Sequence, residues 1–288
     1  MLTFTPIQMD HKLPFIYVLL LISSITVSQS NHYVKVGATG SGTSWSDATG
    51  NFQSAIDASA VGDNVFVAQG TYQPLINAWF SMKQGVKIYG GFPNTGNPGV
   101  SDRNPSIFTT TLSGNGNNVI RNNFTPANPM TSASILDGFT IAGGAAGWGG
   151  GISNSNASPI FQNLIVTGNV STSARGGGFY NSFSNPLFIN VLIHTNSSIG
   201  TGSNGGGGVA NLESNPIFIN CTIANNNCST EGGAVHNVNS DPVFHNCIIF
   251  GNSAALYAAI RNQSSSAPSF KYSLIQGSGG SSTYPSNT

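Results

Sequence analysis

Five side chains in the second half of the chain, Tyr180, His236, Arg261, Arg175 and Glu231, have the chemistry of a binding surface. Tyrosine offers an apolar ring with a polar tip, arginine a planar fork of donors, and glutamate and histidine charges that change with pH. Cleaving a polysaccharide would need more: a pair of carboxylates, or a carboxylate cluster holding calcium, beside a Lys or Arg. The regular part of the sequence has three acids, Glu213, Glu231 and Asp241, at three different places in its repeat, so they cannot stack into a pair. Arg175 and Glu231 share a place but stand two repeats apart, roughly 10 Å by stacking distance. His194, His236 and His245 fall on three separate strand segments, which disfavours a three-histidine metal site. The spacing gives no catalytic set, no metal site and no cofactor site.

The elements that must position these residues are written in glycine, asparagine and proline. Between Gly149 and Gln276 a pattern recurs five times, with prolines at Pro159, Pro186, Pro216, Pro242 and Pro268, so the period is 27, 30, 26 and 26 residues. A period in this range marks a solenoid. Four copies open on a small-residue triplet such as Gly176-Gly177-Gly178, and each glycine costs about 1 kcal/mol relative to alanine inside a helix, so the repeat is not helical. After the triplet come an apolar residue and, two on, Asn154, Asn181, Asn211, Asn237 or Asn262. Short β-prone runs follow, such as Leu187-Phe188-Ile189 and Val191-Leu192-Ile193, separated by an asparagine corner. Three short strands and three turns per repeat make one rung of a parallel β-helix.

In stacked rungs an equivalent residue recurs every ~4.8 Å, so a column of amides can hydrogen-bond along the axis, and Asn also tolerates the left-handed backbone of a sharp corner. The columns Asn163/Asn190/Asn220/Asn246 and Asn169/Asn196/Asn226/Asn252 are expected to be internal ladders, with Asn190 and Asn220 buried. Cys221 and Cys247 share one inward column and are expected as buried thiols, because parallel Cβ vectors keep the Cβ atoms beyond disulfide reach; Cys228 reads as a turn residue. Period-two alternation sends Ile165, Leu192, Ile248, Leu274 and Phe250 outward as an apolar stripe, to be covered by a loop, by an excursion over residues 92–117, or by a partner chain. The column Ser153, Tyr180, Ala210, His236, Arg261 is expected to face outward on the first sheet. It lies beside turns of unequal length, where a solenoid places recognition. That face reads either as a contact for a glycan or a surface protein or as ordinary solvated polar surface.

With Gly232-Gly233-Ala234-Val235 and the series Phe161-Gln162-Asn163, Phe188-Ile189-Asn190, Phe218-Ile219-Asn220 and Phe244-His245-Asn246, the chain resembles the right-handed parallel β-helix proteins of pectin-lyase-like fold. The closest likeness in motif is to the polymorphic outer membrane protein repeats, although their second motif has one residue more. The resemblance implies an all-β, right-handed parallel β-helix. It leaves function open among lyases, hydrolases, adhesins and passive stalks.

Composition narrows the class. Nine basic and nine acidic residues in 288, with 36 Gly, give zero net charge, so there is no electrostatic footprint for nucleic acid. Residues 1–30 read as a signal peptide: an apolar run from Leu13 to Val27, too short for a comfortable membrane span, then the small residues Ser28-Gln29-Ser30. No transmembrane segment is expected in the mature chain. Residues 31–148 read as an N-terminal cap and irregular first rungs, with Phe52, Ala55 and Ile56 on a short capping helix. Residues 149–276 are the regular rungs, and 277–288 a tail of a chain truncated before an anchoring or sorting module. The expectation is a secreted or cell-surface structural and adhesive module of bacterial type, such as an outer-membrane adhesin, and not an enzyme; the alternative is a polysaccharide lyase or glycoside hydrolase with its site on the first sheet.

Overall fold

The computed structural model describes residues 29–201 and 205–278. The segment read from sequence as a signal peptide, except Gln29 and Ser30, and the tail from residue 279 lie outside the described residues. The chain is an all-β parallel solenoid. Its strands fall into sheets of six, nine, eight and five, and every strand pairs in parallel with the equivalent strand of the next rung.

One rung shows the plan. Ile152–Ser155 lies in the six-stranded first sheet, Ile160–Gln162 in the nine-stranded second, Ile165–Thr167 in the eight-stranded third, and the two-residue strand Val170–Ser171 in a five-stranded fourth. The fourth sheet is a correction to the three-strand rung expected from sequence. Its strands are only two residues long in three of five rungs and carry Ala, Ser and Val, so no hydrophobic period announces them. Cys228 belongs to its strand Asn227–Glu231 and is buried, not in a turn.

The corners hold because particular residues accept the left-handed backbone. Asn163, Asn190, Asn220 and Asn246 have φ of 50°, 54°, 54° and 54°. Asparagine takes this conformation more readily than other side-chain-bearing residues. The expectation that Asn190 and Asn220 are buried is wrong: both are exposed, although the column keeps a partial ladder, Asn190 to Asn163 at 3.3 Å and Asn246 to Asn220 at 2.7 Å. They turn the chain at its surface.

The buried ladders are the other two columns. Asn122, Asn154, Asn181, Asn211, Asn237 and Asn262 form one continuous chain inside the first sheet, each Nδ2 donating to the next Oδ1 at 2.9 Å. Asn169, Asn196, Asn226 and Asn252 form a second, and each also donates to a backbone carbonyl of the preceding rung. A third, of serine, was not legible: Ser184, Ser214, Ser240 and Ser266 each accept the main-chain N–H of the preceding rung at 3.0 Å. Beside these run the stacked rings of Phe188, Phe218 and Phe244, with centroids 4.4 and 4.7 Å apart.

At the other end, the helix Phe52–Ala58 starts where Asn51 Oδ1 accepts the N–H of Ser54 and buries Phe52, Ala55 and Ile56. The segment 92–117 is not wholly an excursion, because Thr110–Ser113 within it is a strand of the third sheet. Arg103 pins the rest, with its guanidinium 2.8 Å from the Asp137 carboxylate and 2.9 Å from its carbonyl. Ile165, Ile248, Leu274 and Phe250 stand exposed on the third sheet and Leu192 is half-buried, so the outward assignment holds. Neither a loop nor the 92–117 segment hides them.

Candidate functional site

Hydrogen-bond register places Arg121, Ser153, Tyr180, Ala210, His236 and Arg261 in one outward column of the first sheet. The column is as expected, with Arg121 added below it. Its surroundings divide it into an open half and a closed half.

In the closed half His236 is fully buried, and the expectation of an exposed contact residue is corrected. The backbone at Gly205 lies over it: a Cβ added there would lie 2.6 Å from His236 Nδ1. The small side chain of Ala210, one rung away, leaves room for that approach. His236 Nε2 lies 3.2 Å from Gln263 Oε1, while Nδ1 has no hydrogen-bond partner among the described residues. Burial, and then the charges of Arg175 and Arg261, hold the imidazole down at about 4, against the hydrogen bond donated to Gln263 Oε1, which favours its charged form. Arg261 is spent as well. Its Nε donates to Glu231 Oε2 at 2.9 Å, both side chains largely buried, and its guanidinium lies 4.7 Å from the Tyr257 ring centroid. Four of the five residues singled out from sequence thus form a closed cluster that braces the turn.

The open half is a groove of about 340 Å³ over Arg121, Ser153 and Tyr180. Its wall is Trp148, 47% exposed, whose ring sits 4.9 Å from that of Tyr180. The loop presenting Trp148 is fixed: Asn118 Nδ2 donates to the Trp148 carbonyl at 2.6 Å and Ser171 Oγ to the Gly147 carbonyl at 2.8 Å. Across the groove Arg121 is exposed, its guanidinium 4.9 Å from the ring centroid of Trp79. Asn123, Ser155 and Ser182 line the floor beside it. Arg121 is the one formal charge in this lining, and no carboxylate is part of it.

An aromatic wall, a guanidinium fork and a floor of hydroxyls and amides suit a flat, polyhydroxylated ligand: the rings cover its apolar face and the polar groups fix its oxygens. Of the five binding candidates taken from the sequence only Tyr180 is here, with Ser153 of the same column. Arg121, Trp148 and Trp79 were missed because they precede the regular repeats, where register could not be read. The available signal was the type: Trp148 is one of three tryptophans in the chain and stands among glycines.

Comparison with solved structures agrees with the fold. A pectate lyase, Pel9A, superposes with a TM-score of 0.50 at 13% identity over 84% of this chain, which spans 62% of that enzyme's length. A pectin methylesterase from Aspergillus niger superposes with a TM-score of 0.41 at 13% identity, over 91% of each chain. No protein-family profile matches the sequence, and no curated protein sequence matches it. The fold is the pectin-lyase-like parallel β-helix. Among the described residues no helix is long and apolar enough to cross a membrane.

Proposed function

We propose that this protein is a secreted or cell-surface β-helix module that binds a glycan in the groove between Trp148, Tyr180 and Arg121, and holds it without cleaving it. The observation that carries this reading is the composition of the groove: an exposed Trp packed on Tyr, opposite an Arg stacked on Trp, over a floor of Ser and Asn. Fixed aromatic anchors bind at low entropic cost, and the hydrogen bonds that hold the Trp148 loop supply that rigidity. The likeness to a pectate lyase keeps an enzymatic reading in view, but neither the carboxylate pair of a glycosidase nor a carboxylate cluster that could hold calcium is part of this lining.

The test is a panel of plant and microbial polysaccharides screened by affinity electrophoresis, followed by calorimetry on the best hit. Wild-type protein is expected to bind without releasing reducing ends or unsaturated products. Trp148→Ala is expected to weaken binding at least tenfold, about 1.4 kcal/mol. Product release, or full affinity in Trp148→Ala, would overturn the reading.

A further inference from the structure

On the far side of Trp79 lies a second cleft, of about 430 Å³, within the range of small-molecule pockets. Its floor is Phe52, Tyr72 and Phe80, all buried, and its rim is Val36, Leu75 and Trp79, all exposed, with Leu75 at 83%. The polar groups around it are engaged elsewhere. Tyr72 turns its hydroxyl inward to the Ala68 carbonyl at 2.9 Å. The amide of Gln53 is bonded to the N–H and carbonyl of Ser81, and Gln73 Nε2 to the carbonyl of Gly114. The cleft therefore presents a mainly apolar surface, with Asn51 and Thr71 at its edge.

The two cavities are joined through one residue pair. Trp79 lines the apolar cleft, and Arg121, stacked on its ring at 4.9 Å, lines the polar groove. The two main-chain segments are hydrogen-bonded as well, Arg121 N donating to the Phe80 carbonyl at 2.8 Å. We propose that the two act as one amphiphilic site, whose ligand is a saccharide carrying an apolar acyl or aryl substituent, with the sugar over Ser153 and Tyr180 and the substituent in the cleft beyond Trp79. This rests on the glycan reading of the groove and names the class of glycan it selects. A lipid or an apolar peptide alone would fill the cleft, yet would leave unexplained why its wall is shared with a hydroxyl-lined groove.

The experiment compares the best-binding oligosaccharide of the panel with its own octyl and phenyl glycosides, by calorimetry on the full chain. The substituted forms are expected to bind at least tenfold tighter. Leu75→Ser and Val36→Ser, both at exposed positions, are expected to reduce that gain to under threefold while leaving the affinity for the unsubstituted sugar unchanged; Trp148→Ala is expected to weaken all three ligands. Equal affinity for substituted and plain sugar, or a gain that survives Leu75→Ser and Val36→Ser, refutes the amphiphilic site and leaves the glycan groove standing. Octyl or phenyl compounds that bind equally well without the sugar identify a lipid or peptide cleft and refute it too. Binding of no oligosaccharide at all removes both readings.

Discussion

Replacing Asn211 by alanine tests what holds the solenoid together. Asn211 is 1% exposed, its Oδ1 accepting from Asn181 Nδ2 at 2.9 Å and its Nδ2 donating to Asn237 Oδ1 at 2.9 Å. Truncation strands both neighbours inside the core: Asn181 keeps a donor with no acceptor and Asn237 an acceptor with no donor. A buried group left unsatisfied costs about 1–3 kcal/mol, so the pair costs about 2–6 kcal/mol. Asn220 supplies the contrast, because it is exposed and water can replace its one ladder bond, from Asn246. Its remaining job is the φ of 54°, which glycine performs freely, so Asn220→Gly is expected to change stability by less than about 0.5 kcal/mol. Equilibrium denaturation in urea, followed by circular dichroism and tryptophan fluorescence, measures both. Coincidence of the two probes establishes that a single free energy is meaningful for a repeat protein. A loss below about 1 kcal/mol for Asn211→Ala, or equal losses for the two variants, would refute the view that the buried amide chain and the surface corner do different work.

Two further outcomes are expected. His236 has an ordinary value of 6.5 and is held at about 4 in the fold. Above pH 6.5 it is neutral in both states and contributes nothing; below, the unfolded chain takes up the proton first, so stability falls towards pH 4 and then levels, by about 3 kcal/mol. In His236→Gln that part of the acid-induced loss should vanish, and an unchanged pH dependence of the urea midpoint would count against it. Phe183 stands at a corner with φ of 49°, its ring 60% exposed, where Asn156 and Asn239 occupy the equivalent turns. Phe183→Asn should therefore raise the unfolding free energy by about 0.5–1 kcal/mol; a fall would mean that the ring contributes packing that outweighs its backbone strain.

The period and the parallel stacking were legible because glycine, asparagine and proline recur each in one place, and the outward stripe because strand side chains alternate. What asparagine does at each place was less so, since the same side chain suits a left-handed corner and a buried ladder. Asn154 and Asn220 look alike in sequence and stand on opposite sides of the wall. The serine ladder went unread because serine is scattered through every turn. In the site, Tyr180 was legible from its column, but a register argument cannot see what lies over a column. Gly205, beside the unequal turn that marked His236 as a recognition residue, lies over its ring instead. Trp148 and Arg121 lay in rungs too irregular to align.

The sameness of the ladders carries a hazard for the folding chain. An amide that fits its neighbour also fits the next one along, so a rung docked one step out of place would recover many of its hydrogen bonds and stack its phenylalanine rings. The energy gap between correct and shifted threading then rests on the members that do not repeat. Ala157 heads the serine ladder, Gln276 closes the amide chain at Asn252, Arg103 grips Asp137, and Gly205 alone fits over His236. These irregular residues are registration marks: they identify each rung to the chain as it winds, and without them the protein would be a stack able to form but unable to count.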